Sequence, residues 1–379
     1  LSATVKKVFI NSMPAIQSIK CSNTCLASTM RQRVWLAHLF REDDMKKRIL
    51  ACLLATTTVL APAIASAETL IFGSGNVEQH PIVKRIFTPW VEKVNAEGGD
   101  ALQIDMRHGQ MLVNPGTFLD RLDDDVVQIV WGMPVAAPGR FPRSLVSTTP
   151  LIEGSSAAAS VAFCRMLENG DLGDEWAEFV PLLIVPFPQV SAHLNGAPLT
   201  SMADIAGKKI TTQSPSAAGI IQAYGGTPLS VNIQDQYQAL QRGTADGTFM
   251  SYTAFPGFRL NEVTSDHLDV PLGGATGLAF MTRARFDQLS AEAQAVLTAN
   301  SGCELAREVG AKVDQWEADS KGFVMSKEGH TFNKISDEGM AELKGRVGEA
   351  LSKGYAARVP GGAELIELWR KQVAKADAE

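Results

Sequence analysis

Basic residues are scarce in the part of this chain that should fold. The full sequence carries 35 Lys and Arg against 41 Asp and Glu, but residues 1–67 hold 9 of the bases and only 3 of the acids. That leaves 26 against 38, a net charge near −12 over the remaining 312 residues. So acidic a surface repels nucleic acid and anionic lipid, and neither is an expected partner. Cysteine is scarce too. Only Cys164 and Cys303 lie beyond residue 67; in an oxidising compartment they can pair, or they can stand as two separate buried thiols. No low-complexity tract and no repeat of fixed period follows.

Catalytic punctuation is also missing. The six histidines (His38, His80, His108, His193, His267 and His330) read as solitary, with no HExxH pair and no second ligand at helical spacing. There is no GxSxG elbow, no GxxxxGK[ST] phosphate loop and no GxGxxG turn. The acidic run "DRLDDD" lacks the alternate-position oxygens and central glycine of a calcium loop, and reads as a solvated helix end. No metal or cofactor is expected. The chain reads as one built to bind rather than to react.

What is present begins at Met45. Lys46, Lys47 and Arg48 precede an apolar run from Ile49 to Ile64, and Ala65-Ser66-Ala67 closes it with small residues. That order is a secretory signal with cleavage before Glu68, and it places the mature chain in the periplasm. The run is too short for a comfortable membrane span, and Pro62 with three adjacent threonines argues against a core helix. Cys52, in "ILAC", has almost no hydrophobic region ahead of it and is a poor lipid-attachment site. Residues 1–44 show no sustained period and read as upstream sequence translated ahead of the true start.

From Glu68 the chain alternates short apolar strands with amphipathic helices. "TLIFG", "LQIDM" and "VVQIVWG" read as strands around a helix in which Ile82, Ile86, Trp90 and Val94 share a face, with Pro89 predicting a kink or break, and a second helix in "PGTFLDRLDDD". The same β-α-β-α-β rhythm returns in "KKITT", "SAAGIIQAY", "TPLSV", "IQDQYQALQRG" and "GTFMSY", with Ser214 and Asn232 at cap positions. Two such units predict two α/β lobes with parallel-rich sheets rather than one large sheet. "LLIVPFPQVSAHLN" should cross from the first lobe to the second, and "GLAFMT" should return. A long helical stretch from about Ser290 towards Gly322 and two more helices complete the chain. The expected division is lobe 1 over 68–190 (completed by 275–330), lobe 2 over 191–274 and a C-terminal helical segment over 331–379. Two lobes, export and no catalytic constellation suit a solute-binding protein that closes on its ligand about a hinge.

Several stretches resemble the substrate-binding proteins of TRAP (tripartite ATP-independent periplasmic) transporters, in the dicarboxylate-binding-like family. "FLDRLDDDVVQIVWGMPVAAPGRFPRSLV", "LTSMADIAGKKI", "GGTPLSVNIQDQYQALQRGTADG" and "AFMTRARFDQLSAEAQAVL" match the family's segments in order along roughly residues 70–320. The resemblance implies a two-lobed periplasmic-binding-protein fold with crossing hinge strands and a long helix backing both lobes. It also implies a monomer that captures a small organic solute, usually an acid, and hands it to integral membrane permease subunits. A ligand-presenting sensor and an exported enzyme on the same scaffold are the alternative readings.

The departures from the family bear on the ligand. The arginine that ends the family's "GKKIR" strand and pairs with a carboxylate is Thr211 here. Losing one partner of a buried charged pair costs about 2–5 kcal/mol, so a bare carboxylate held by Thr211 alone should bind poorly. Three remedies are open. Arg107 or Arg140 can supply the charge; the helix starting at Ser214-Pro215 can offer its N-terminal amides; or the ligand is not a simple carboxylate. Trp131, Phe249, Tyr252 and Phe255 stand at strand ends, where an aromatic solute would find its walls. Asn76 follows the first strand, where α/β sheets bind ligands. The expected site is therefore Asn76, Arg107, Trp131, Arg140, Thr211, Gln213, Ser214, Phe249 and Tyr252.

Overall fold

The computed structural model describes residues 68–379. The upstream extension and the signal segment, with Met45 and Cys52, lie outside the described residues. Strands β1 (Glu68–Ser74), β2 (Leu102–His108), β3 (Ile129–Gly132) and β4 (Phe179–Phe187) belong to a first sheet, and β5 (Ser191–Leu194), β6 (Lys209–Thr211), β7 (Thr227–Leu229), β8 (Gly247–Met250) and β9 (Asp266–Asp269) to a second. The strand β10 (Ala275–Thr282) returns to the first sheet, and β11 (Thr331–Lys334) adds an edge to the second. The orders are β2-β1-β3-β10-β4 and β11-β9-β5-β8-β6-β7.

Each sheet is parallel except for one inserted strand. β10 runs antiparallel to both β3 and β4, and β5 runs antiparallel to both β8 and β9. These reversals follow from the crossings. β4 and β5 are consecutive in the chain but lie in different sheets, joined by residues 188–190, and β9 leads back to β10 through residues 270–274. The two crossings are zipped together: the Val190 amide donates to Gly273 at 2.8 Å, the Leu272 amide to Val190 at 3.0 Å and the Gly273 amide to Gln189 Oε1 at 2.8 Å. Gly273 holds φ +112°, and a Cβ there would lie 2.4 Å from the Thr148 carbonyl, so only glycine fits this hinge.

The predicted long helical stretch is two helices, Ala291–Ala299 and Cys303–Met325, broken at Gly302 with φ +88°. The 23-residue second helix backs both lobes. Its Val309, Val313 and Trp316 are buried in the first lobe's core, and Val324 is buried in the second's. Cys164, on helix Ser156–Glu168, and Cys303 form a disulfide across these two helices. Near Pro89 the expected kink takes the form of a π-helical turn, Val83–Phe87, running directly into helix Thr88–Gly98 with the proline in its first turn. The C-terminal segment is not wholly helical, because β11 pairs in parallel with β9. Helix Asp337–Leu351 then packs on helix Pro215–Ala223, and helix Gly362–Asp377 on Ser156–Glu168, so the tail straps both lobes.

Candidate functional site

A cavity of about 680 Å³ lies between the two sheets, a size suited to a small organic ligand. Its walls come from the carboxyl ends of parallel strands in both lobes: Gly75 and Asn76 after β1, Gly132 and Met133 at the end of β3, Thr212 to Ser214 after β6, and Met250 and Ser251 at the end of β8. Strand-to-helix turns present loop side chains and free backbone groups there, which is why open α/β sheets bind ligands at that edge. The hinge contributes Phe187, Pro188, Val190, Gly274 and Ala275, and the long helix contributes Trp316.

Of the residues expected from sequence, the cavity brings together Asn76, Trp131, Gln213, Ser214 and Phe249. Asn76 is held by Ser74, whose hydroxyl accepts from its amide nitrogen at 3.3 Å and from its side-chain Nδ2 at 3.2 Å. The half-buried Trp131 ring stands 5.0 Å from Phe87 and 6.4 Å from Phe187, and Gly277 leaves room for it, since a Cβ there would come within 2.2 Å of the indole. Ser214 uses its hydroxyl to cap Ala217.

The other four expected residues stand outside the cavity lining. Arg107 is exposed and forks onto Asp105, two residues back on the same face of β2, at 2.7 and 2.9 Å. Arg140 pairs with Glu178 and lies over the Phe179 ring at 5.2 Å, so it pins its own loop. Thr211 is fully buried within β6, with Oγ1 turned to the Gly247 carbonyl at 3.5 Å; its neighbour Thr212 lines the cavity instead. Tyr252 is buried behind the wall, where its hydroxyl reaches Asp269 at 3.3 Å; burial first, and then that carboxylate, push its pKa up. Phe255, expected beside it, is also fully buried in the second lobe's core.

Sequence reasoning missed several features. His80, read from sequence only as one of six solitary histidines, lines the cavity. Its Nδ1 accepts from the Ile82 amide at 3.2 Å, so Nε2 carries the proton, and burial holds its pKa down at about 4. His80 also belongs to an aromatic arc along one wall. Trp131 and Phe187 are 6.4 Å apart, Phe187 and Trp316 6.3 Å, Trp316 and His80 6.1 Å, and His80 and Phe258 5.1 Å. Arc members from five separate segments could not be assembled from the sequence.

The histidines are not all solitary. His193 Nδ1 meets His267 Nδ1 at 2.8 Å, His267 Nε2 meets His330 Nδ1 at 2.8 Å, and His193 Nε2 donates to the Met250 carbonyl at 2.9 Å. Strand register explains it: His193 and His267 are partners across β5 and β9, and His330 precedes β11 on the other side of β9. This chain supports the wall from behind, since Met250 lines the cavity. Glu317 does the same, accepting from the amides of Tyr252 at 3.0 Å and Thr253 at 2.6 Å; burial raises its pKa to about 7 against the pull of those two donors. Among the described residues the one grouping of metal-type donors is Cys164, Glu168 and Cys303, and both sulfurs are committed to the disulfide.

The same architecture occurs in solved proteins. A marine-metagenome TRAP solute-binding protein in complex with 3-hydroxybenzoate superposes with a TM-score of 0.77 at 24% identity, covering 82% of this chain and 99% of that one. A TRAP solute-binding protein from Rhodoferax ferrireducens, in complex with copurified benzoate, gives 0.77 at 22% identity over 82% and 99%. In sequence, the chain is 21% identical over 343 residues to the outer membrane transporter protein TsaT of Comamonas testosteroni, covering 87% of this chain and 99% of that protein. Residues 72–357 match the family model for bacterial extracellular solute-binding proteins, family 7. The match spans well over half of the sequence and contains both lobes and the cavity between them, and the chain belongs to that family, the solute-binding proteins of TRAP transporters.

Proposed function

We propose that the chain is the periplasmic receptor of a TRAP transporter, capturing a small organic solute by closure of the cleft and delivering it to integral membrane permease subunits. The observation that carries this reading is the cavity itself: a ligand-sized space between two sheets, bounded by both crossings and the long helix. Rotation about the two hydrogen-bonded crossings closes it without disturbing either sheet. The disulfide suits an oxidising compartment outside the cytoplasm, and no described helix is long and apolar enough to cross a membrane. The acidic balance of the mature chain argues against nucleic acid as a partner. The receptor acts as a monomer and performs no reaction on its solute.

Among ligand types, an aromatic body fits best, because the arc from Trp131 to Phe258 offers flat apolar faces along one wall. The structural neighbours crystallised with benzoate and 3-hydroxybenzoate lend support from within the same fold. No observation favours the sensor or enzyme readings. The test is mass spectrometry of small molecules released by denaturing the exported protein, with a thermal-shift screen beside it. A ligand at a hundred times its Kd adds about 2.7 kcal/mol of stability, visible as a shift of several degrees. The absence of both a released molecule and a thermal shift across aromatic and aliphatic solutes would overturn the receptor reading.

A further inference from the structure

Among the described residues, neither Lys nor Arg lines the cavity. Its charged lining is Asp235, in the first turn of helix Ile233–Gln241, and His80 is held neutral by burial. Of the cations nearest in the chain to lining residues, Arg140 is paired with Glu178, Arg259 forks on Glu262 at 2.6 and 2.7 Å, and Lys84 is exposed outside the cavity lining. Behind the wall, Lys321 is paired with Asp269 at 2.5 Å. A carboxylate entering this cleft would lose its water without gaining a counter-ion.

The helix ends do not make up for this. At helix Pro215–Ala223 the first residue is a proline and has no N–H. The Ala217 amide is taken by the Ser214 hydroxyl at 3.3 Å and the Ala218 amide by the Ser214 carbonyl at 2.9 Å. That leaves the Ser216 amide alone in the opening turn. At helix Ile233–Gln241 Asp235 already brings a negative charge to the positive end, as Asp120 does in helix Phe118–Asp123, so a second anion there is opposed; at helix Ala254–Phe258 the Ala254 and Phe255 amides are taken by the Ser251 and Tyr252 carbonyls. What the cleft offers in place of charge is side-chain amides: Asn76, Gln110, Asn114, Gln213, Asn232 and Gln234. A side-chain amide carries both donors and an acceptor, which suits groups that themselves donate and accept; Asn76 and Asn114 spend part of theirs on Ser74, Gln110 and Gly116, leaving Gln110, Gln213, Asn232 and Gln234 as the freer four.

Resting on the receptor reading above, we propose that the solute is an aromatic compound without a free carboxylate, its polar substituents being uncharged carboxamide, carbonyl or hydroxyl groups read by the amide side chains. The cleft then discriminates against the acids of the same ring skeleton.

Calorimetric titration of the exported protein with two matched pairs tests this: benzamide against benzoate, and 3-hydroxybenzamide against 3-hydroxybenzoate. The amide of each pair should bind at least tenfold tighter. Installing the missing charge by Gln213→Arg should move the ratio at least tenfold towards the acids, and Gln213→Met, which adds none, should not. An acid binding tighter than its amide in the wild-type protein would overturn the proposal, as would the absence of binding by all four compounds at millimolar concentration. Neither result would touch the receptor reading, which is judged by the released small molecule: a bound aliphatic or acidic solute keeps the receptor and discards this ligand class.

Discussion

Trp131 carries the sharpest test at the scale of one side chain. Its ring lies over Gly277, where any Cβ would come within 2.2 Å of the indole, so Gly277→Ala has to turn the ring out of its place in the wall. Overpacking of this kind costs about 1–3 kcal/mol of stability. Solute binding should weaken about tenfold, about 1.4 kcal/mol, with a change in tryptophan emission on titration. Unchanged affinity with a shifted emission would take Trp131 out of the site. Arg140→Ala is the matched control. Its guanidinium is spent on Glu178 and on the Phe179 face, so affinity should stay within about twofold while the melting temperature falls slightly. Lost binding would return Arg140 to the cleft. The residues legible in the sequence, Asn76, Trp131, Gln213, Ser214 and Phe249, were so because β-α alternation alone says where strands end. Arg107 had a visible counter-signal in Asp105, since positions two apart on a strand share a face. Tyr252 had none, because its partners Asp269 and Glu317 come from distant segments.

At the scale of elements, the disulfide joins helix Ser156–Glu168 to the start of the long helix across 139 residues of sequence. Closing so long a loop removes much of the unfolded chain's freedom, so replacing both cysteines by serine should cost about 2–5 kcal/mol in urea denaturation, with a steeper slope because the unfolded chain without its cross-link exposes more surface. A loss below about 1 kcal/mol would show that the buried contacts between those helices already hold them. Gly310 and Asp314 are part of that contact: a Cβ at Gly310 would lie 2.4 Å from Ala157 Cα, and Asp314 accepts from the Ser156 amide at 2.7 Å. The sequence could name the two cysteines and not their pairing, since pairing depends on how two helices far apart in the chain meet. The alternating elements of both lobes were legible, as were both crossings, because local periodicity and turn residues determine them. Strand β11 was not. It is four residues long with half its side chains exposed, and its identity comes only from the edge of β9 that it covers. The same pairing creates the chain of three histidines, which no spacing in the sequence announces.

At the scale of the whole molecule, buried titratable groups make stability depend on pH in a way that can be signed. His80 and His193 are both held at about 4 by burial, against an ordinary value near 6.5. Between pH 6.5 and 4 the unfolded chain therefore binds about two protons that the folded chain refuses. Their stabilisation is complete above 6.5 and is lost as pH falls, at about 2.7 kcal/mol per pH unit for the pair. His267 and His330, also lowered by burial, act in the same sense. Glu317 acts in the opposite sense. Burial raises it to about 7, so the folded chain keeps a proton that the unfolded chain releases above about 4.5, and that contribution is lost as pH rises through 7. Over pH 4.5 to 6.5 it offsets about half of the histidine pair's slope, leaving stability falling on acidification by at least about 1.4 kcal/mol per unit. Glu317→Gln removes the offset, so urea denaturation of that variant at pH 4.5, 5.5 and 6.5 should show a steeper loss than the wild type over the same interval. Equal slopes would mean that Glu317 stays ionised when folded, the two amides of Tyr252 and Thr253 outweighing its burial. The wall segment 250–253 would then be held to the long helix by a charge, and opening of the cleft would have to carry that charge with it.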